Sequence, residues 1–403
     1  MKNKKVVSKL SKISTQKLCE IPFIYLDNAS TTFPKPECVY DFMNSFYRRY
    51  GVNPGRSKGY AYQQAENVLN GTRERLTRMF NGSDPKRLIF TYNATDSLNM
   101  IINGILRYGD HVVTTTIEHN SVLRPLNHLA RDRKIKVSFV SFDKDGFVNP
   151  EDIKKKIRKK TKLVIVNHGS NVLGTIQPIT EIGALCHKKG VVFAIDASQT
   201  AGVIPIDIKK MHIDVVAFTG HKSLLGPMGI GGFYVRQGVD IKPTRFGGTG
   251  ILGQDKFQPR EFPYYLECGT VNMVGVAGLY SSVNYLNQKG VDDIYRHEIE
   301  LARLLYDGLR KIDEVILYAR PSINSHLGVF SFNIRGRESS EVGNILDTKY
   351  HICSRPGLHC APLVHEQIGT IPNGTVRLSM GPFNTKTEIN VVIQAVAEIA
   401  AGN

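Results

Sequence analysis

The chain has 403 residues, 41% of them hydrophobic and 22% charged, enough apolar material for a large core and a smaller second one. A mainly disordered protein is thereby excluded. Its 52 Lys and Arg against 36 Asp and Glu give a formal charge of +16, a balance that invites a nucleic-acid or membrane-surface partner unless the charge is confined to surface runs.

Two runs hold much of it. Six lysines fall within the first twenty residues, and six more basic residues crowd Lys154–Lys160 (KKKIRKK). The N-terminal run lacks the apolar core of a signal peptide, and it uses only Lys where a mitochondrial transit peptide is Arg-rich, so residues 1–20 are expected to form a basic, disordered tail. Nowhere is there a run of about twenty apolar residues, so no membrane partner is expected. The six cysteines (Cys19, Cys38, Cys186, Cys268, Cys353, Cys360) are scattered and form no C-x-x-C pair. A disulfide framework and a metal site are therefore disfavoured, and a cytoplasmic location is expected.

In chain order, the first strand signal is Arg87–Asn93 (RLIFTYN), followed by Leu98, Ile101, Ile102 and Ile105 at helical spacing. Further strands are expected at His111–Thr116, Lys136–Phe142, Lys162–His168, Val191–Asp196, Asp214–Thr219 and Gly231–Arg236, with a helix over Ile179–Lys189. Nearly all-apolar strands alternating with helices predict an α/β domain whose parallel sheet is covered on both faces. Beyond the Gly-rich stretch Phe246–Gly253 the pattern changes. A helix is predicted over Asp292–Ile312, then a strand at Gly328–Ile334, a helix at Ser339–Thr348 and a strand at Thr375–Met380. The expected organisation is a large α/β domain over 34–288 and a smaller α+β domain built from 21–33 and 289–403.

Four segments could carry chemistry. The strand ends VVFAID and DVVAFTGHK deliver Asp196, Gln199, Thr219, His221 and Lys222 to the carboxyl edge of the sheet, where ligands bind in open parallel sheets. A lysine there can form a Schiff base and a carboxylate can hold a pyridinium nitrogen protonated, although each alone reads more readily as a loop acid or a solvated lysine. Asn93-Ala94-Thr95-Asp96 sits between a strand and a helix and suits either a phosphate or a simple N-cap. His119, in Glu118-His119-Asn120-Ser121, could lie over an aromatic cofactor or be a polar loop residue. Lastly, Arg355-Pro-Gly-Leu-His359-Cys360-Ala361 places one thiol between two residues that can carry positive charge, a setting that favours a thiolate, while a structural turn cysteine is the plainer reading. Arg377 offers a planar fork for a carboxylate or is a surface strand arginine.

In order and spacing, YLDNAS, NATDSLN, EHNSVLRPL, SNVLGTIQPI, DASQTAG, TGHKSLLGPMGIG, ECGTVN, RPGLHCAP and VRLSMGPFNT resemble the class V aminotransferases, and within them the cysteine desulfurases. The resemblance runs from Tyr25 to the last helix. It implies the fold of the type I pyridoxal-phosphate enzymes, with a mostly parallel seven-stranded sheet and a smaller α+β domain. It implies that Lys222 carries pyridoxal 5'-phosphate, Asp196 pairs with the ring nitrogen, Gln199 bonds the ring hydroxyl and His119 stacks on the ring and moves protons. Ala94, Thr95, Thr219 and His221 would hold the phosphate, and Asn171 would orient the substrate. Arg377 and Arg355 would bind the substrate carboxylate. Gly269-Thr270 would reach the phosphate of a neighbouring subunit, making the active form a homodimer. Cys360 would take sulfur from L-cysteine as a persulfide, release alanine and pass the sulfur to an acceptor protein.

The Arg-x-Gly-x-His-Cys-Ala loop is similar to that of the second desulfurase group, which also holds selenocysteine lyases, whereas DNASTT (Asp27–Thr32) is closer to the first. Asn53-Pro-Gly-Arg56-Ser57 is similar to the family's Asn-x-x-Arg entry but carries Ser57 where a larger side chain often follows. Two other readings remain at this level: a selenocysteine lyase or another class V elimination or amino-group reaction, and a basic nucleic-acid-binding protein on the same scaffold. Against the second stand the complete cofactor set and the absence of an RNA-binding motif with interleaved aromatics, so no nucleic-acid partner is expected.

Overall fold

The computed structural model describes residues 22–55, 57–320, 322 and 324–402; the expected tail over 1–20 and Arg56 lie outside the described residues. A two-residue strand β1 (Ile24–Tyr25) opens the described chain. Seven strands then form the main sheet: β2 (Leu88–Thr91), β3 (His111–Thr115), β4 (Lys136–Val140), β5 (Thr161–Asn167), β6 (Val192–Asp196), β7 (Val215–Thr219) and β8 (Gly231–Val235). Their spatial order is β2-β8-β7-β6-β5-β3-β4, and only β8 runs against the rest. Each matches one of the strands expected from the sequence.

Strand periodicity explains how this sheet is buried. In β5, Leu163 and Ile165 join one hydrophobic cluster while Val164 and Val166 join the other, because successive side chains point to opposite faces. One cluster is completed by Leu98, Ile101 and Ile102 of the helix Ala94–Ile105 and by Val122 and Leu126 of the helix Asn120–Asp132. The other takes Ile182 of the helix Ile179–Lys189 and Val276 and Val283 of the helix Met273–Lys289. Each fully buried Val, Leu or Ile contributes about 1.5–3 kcal/mol, so a sheet covered on both faces is the principal source of stability. The edge strand β4 is the exception, with Lys136 exposed.

The second group of strands comprises β9 (Val315–Tyr318), β10 (Val329–Ile334), β11 (Ile352–Cys353), β12 (Arg355–Gly357) and β13 (Thr375–Ser379). Four of them make an antiparallel sheet in the order β12-β13-β10-β9. The remaining strand, β11, pairs in parallel with β1, joining Ile24 to Ile352. The long helix runs Val291–Leu309 and the next Ser339–Tyr350, each within three residues of its expected ends.

The order of the main sheet fixes where chemistry can occur. Strands β3, β5, β6 and β7 are consecutive neighbours and end together, which brings the segments after Thr115, Asn167, Asp196 and Thr219 to one edge. Beyond β6, Gly202 has φ +99°, and a Cβ there would run into the backbone carbonyl of Ser223, the residue after Lys222. Only glycine permits that approach. We expect Gly202→Ala to destabilise the fold by about 2–3 kcal/mol in thermal or urea denaturation. Gly190→Ala, also at positive φ but with open space around it, should cost only about 1 kcal/mol.

Candidate active site

Asp196 is the last residue of β6 and only 3% exposed. Its Oδ1 accepts hydrogen bonds from the backbone N–H of Ser198 at 2.9 Å and from the Ser198 hydroxyl. Lys222 follows β7 in a turn held by the Gly220 N–H to the Ile230 carbonyl (2.9 Å) and the Leu225 N–H to the Lys222 carbonyl (2.8 Å). Burial lowers the Lys222 pKa to about 8; the Arg377 and Arg355 charges act in the same direction, against Asp196 and Asp27. A lysine so placed has a reactive, unprotonated fraction near neutral pH.

His119 caps the helix Asn120–Asp132. Its Nδ1 accepts the Ser121 N–H at 3.0 Å, which places the proton of the neutral ring on Nε2. Burial first, and then the Lys222 charge, push its pKa down to about 4, so the ring is neutral at pH 7. Thr95, in the first turn of the helix Ala94–Ile105, shares a 2.7 Å hydrogen bond with the Ser121 hydroxyl. Asn93 caps that helix by accepting the Asp96 N–H at 3.0 Å, so this segment supplies both a cap and a hydroxyl for the cavity.

Nine of the residues expected from the sequence line a single cavity: Ala94, Thr95, His119, Asn171, Asp196, Gln199, Thr219, His221 and Lys222. Three buried atoms around it, Thr219 Oγ1, His221 Nδ1 and Asn171 Oδ1, have no hydrogen-bond partner among the described residues. Leaving a buried polar atom unpaired costs about 1–3 kcal/mol, so three around one cavity mark a place for a polar ligand. Gln199 already spends one N–H on the Ala29 carbonyl at 2.9 Å.

Arg377 is not a surface strand residue: it is 2% exposed in β13. Its Nη2 donates to Asp27 Oδ1 at 2.5 Å and to Ser30 Oγ at 2.8 Å, and its Nη1 donates to the Asn171 carbonyl at 3.1 Å. Its Nε has no partner among the described residues. Arg355 reaches the same Ser30 hydroxyl at 2.6 Å.

Cys360 is exposed and lines a second cavity that shares Thr95, His119 and Ser121 with the first. Of the two expected flanking cations, His359 is neutral. His359 turns inward, 4% exposed, and donates from Nε2 to the Arg355 carbonyl at 2.8 Å. Burial, then Arg377, drive its pKa down to about 3, so it brings no charge to the thiol. Thr270 does not join the Lys222 cavity of its own chain; it lines a separate cavity with Arg73, Arg245 and Thr249.

Other residues of the site escape a motif reading. Ser121 links His119 to Thr95. Lys35 donates from Nζ to the His221 carbonyl at 2.6 Å, and the Thr32 N–H (3.1 Å) and Thr31 hydroxyl (3.0 Å) reach the same oxygen. Glu118, just before His119 in the chain, is fully buried, and burial raises its pKa to about 8. The only sequence signal for Ser121 and Glu118 is their place beside His119, and for Asp27 and Ser30 their place in DNAS.

A family model for class-V aminotransferases matches residues 24–392. A probable cysteine desulfurase of Methanothermobacter thermautotrophicus is 35% identical, covering 94% of each chain. A cysteine desulfurase of Haloferax volcanii is 29% identical over 93% of this chain and 89% of its own. Among solved structures, the apo cysteine desulfurase of Thermococcus onnurineus superposes with a TM-score of 0.88 at 33% identity, covering 94% of this chain and 95% of its own. The chain belongs to the class-V aminotransferase family. Within that family it belongs with the cysteine desulfurases.

The lowered pKa of Lys222 can be read without turnover. In cofactor-free protein, labelling of the Lys222 peptide by an amine-specific reagent, followed by mass spectrometry, should rise with pH through a midpoint near 8 rather than the usual 10.5, because only the unprotonated amine reacts.

Proposed function

We propose that the protein is a pyridoxal-phosphate-dependent cysteine desulfurase that converts L-cysteine to L-alanine and retains the sulfur as a persulfide on Cys360. The observation that carries this reading is the meeting of two cavities, one lined by Lys222 and Asp196 and the other by Cys360, along the shared wall of Thr95, His119 and Ser121.

The residues present fit pyridoxal phosphate. Lys222 offers an amine for its aldehyde, Asp196 a carboxylate for its ring nitrogen, and Thr95, Thr219 and His221 a hydroxyl and imidazole set for its phosphate at a helix N-terminus. The unpartnered Thr219 Oγ1 and His221 Nδ1 support this assignment. When bound, the cofactor supplies an electron sink for the substrate α-carbon.

Protein groups do the rest. Arg377, fixed on one side by Asp27, binds the substrate carboxylate, with Arg355 adding positive charge nearby. Asn171 Oδ1 accepts a hydrogen bond from the substrate side, since Asn171 Nδ2 is committed to the His359 carbonyl at 2.8 Å. His119, neutral with its proton on Nε2, and the Lys222 amine exchange protons with the substrate. Cys360 Sγ takes the substrate sulfur, and the carbon skeleton leaves as alanine. The exposure of Cys360 supports onward transfer to an acceptor protein. In this reading the active form is a cytoplasmic homodimer. The separation of Thr270 from the Lys222 cavity of its own chain supports a role for Gly269 and Thr270 in the neighbouring site.

Purified protein given L-cysteine and a reductant should release alanine and sulfide, and without the reductant should carry a sulfur adduct on Cys360 by mass spectrometry. Cys360→Ala should lose at least about a hundredfold in desulfuration while keeping the visible absorption of the cofactor, whereas Lys222→Ala should lose that absorption. A Cys360→Ala enzyme that desulfurates cysteine at the wild-type rate would overturn the assignment. Retained turnover of selenocysteine alone by that variant would identify a selenocysteine lyase.

A further inference from the structure

The loop that carries Cys360 adopts an unfavourable backbone. His359 and Cys360 are consecutive non-glycine residues in the left-handed region, at φ +49° and +57°. Such a pair persists only where its surroundings hold it. Two anchors are direct: Asn171 Nδ2 donates to the His359 carbonyl at 2.8 Å, and the Asn120 N–H, at the start of its helix, donates to the Cys360 carbonyl at 2.7 Å.

A third anchor runs through buried side chains that the proposed chemistry does not use. His359 Nδ1 lies 3.2 Å from His365 Nε2, and His365 Nδ1 lies 2.8 Å from Thr370 Oγ1. All three residues are buried, His365 completely. Proton positions follow from one end of this chain. The Arg355 carbonyl can only accept, so His359 Nε2 carries a proton. Burial keeps both rings neutral, so His359 Nδ1 is an acceptor and His365 Nε2 must donate to it. His365 Nδ1 is then an acceptor in turn, and the Thr370 hydroxyl donates. Thr370 is itself fixed by its backbone N–H to the His365 carbonyl at 2.9 Å.

We propose that His365, backed by Thr370, is a positioning residue of the Cys360 loop: its Nε2–H locks His359 in the tautomer that grips the Arg355 carbonyl, and so keeps Cys360 seated against the helix Asn120–Asp132. Its effect on turnover rests on the reading of Cys360 as the sulfur acceptor; its effect on the loop does not.

The test compares His365→Leu, which removes the donor, with His365→Gln, whose amide can donate from the same place, in cofactor-loaded enzyme. Amide hydrogen exchange in a peptide spanning 355–361 should quicken at least threefold in His365→Leu and stay near wild type in His365→Gln, with exchange in β13 unchanged in both. Desulfuration kcat should fall at least tenfold in His365→Leu and less than threefold in His365→Gln. Equal behaviour of the two variants, or faster exchange throughout the protein, would show a merely structural role and overturn the proposal. Should His365→Leu fail to fold, Thr370→Val against Thr370→Ser decides: faster loop exchange in the first and not the second is expected, and no difference overturns it. If the loop responds as expected but Cys360→Ala desulfurates at the wild-type rate, the function assigned to Cys360 fails while the positioning role stands.

Discussion

The ion pair between partly buried Asp27 and fully buried Arg377 is the contact on which the site depends. A guanidinium that is 2% exposed is costly to desolvate, and losing Asp27, its carboxylate partner among the described residues, would leave that charge uncompensated. The pair is therefore poor evidence for extra stability and good evidence for a fixed arrangement. It ties β13 to the segment 27–35, and that segment in turn grips the lysine turn. Thr31, Thr32 and Lys35 all donate to the His221 carbonyl, Thr32 Oγ1 donates to the Lys222 carbonyl at 3.0 Å, and the Ala29 carbonyl receives Gln199. A single stretch of nine residues thus joins the Arg377 strand, the Lys222 turn and the β6 turn.

The electrostatics follow from that arrangement. Arg377 and Arg355 are brought close enough to Lys222 to reinforce the effect of burial, while Asp196 and Asp27 oppose it, and the result is an amine near pH 8. The same cations and the same burial hold His119 and His359 neutral. A cavity arranged this way favours anionic groups and unprotonated nitrogen together. By contrast, two lysines of the basic run at 154–160 are accounted for at the surface, with Lys154 and Lys155 pairing to Glu151 and Asp152 at 2.7 Å in the last turns of a short helix. The charge that matters for chemistry is the small buried part of the excess.

How much of this was legible in the sequence depends on the range of the forces involved. The seven strands of the main sheet could be read because burial on both faces makes them nearly all apolar, and their order along the chain brought Asp196, Thr219 and Lys222 to one edge. Strands β1, β9, β11 and β12 could not, because each has two to four residues and exists through partners distant in sequence. The same limit hid the roles of Asp27, Ser30 and Lys35. Adjacency misled at His359: beside Cys360 in sequence it reads as a charged flank, but its left-handed backbone turns the ring into the core.

That turn also explains why the thiol and the Lys222 cavity are mechanically one unit. Each left-handed non-glycine residue costs about 1–2 kcal/mol, and a typical hydrogen bond returns about 1 kcal/mol net, so His359 and Cys360 hold their conformation only with their carbonyl anchors in place. Both anchors belong to the cavity walls: Asn171 lines the Lys222 cavity, and Asn120 follows His119 directly. A movement of either wall therefore relaxes the loop, and a displacement of the loop releases Asn171, whose backbone carbonyl is held by Arg377. The exposed cysteine is thus aligned by residues that line the Lys222 cavity or adjoin it, which places the thiol and the Lys222 amine under one set of constraints.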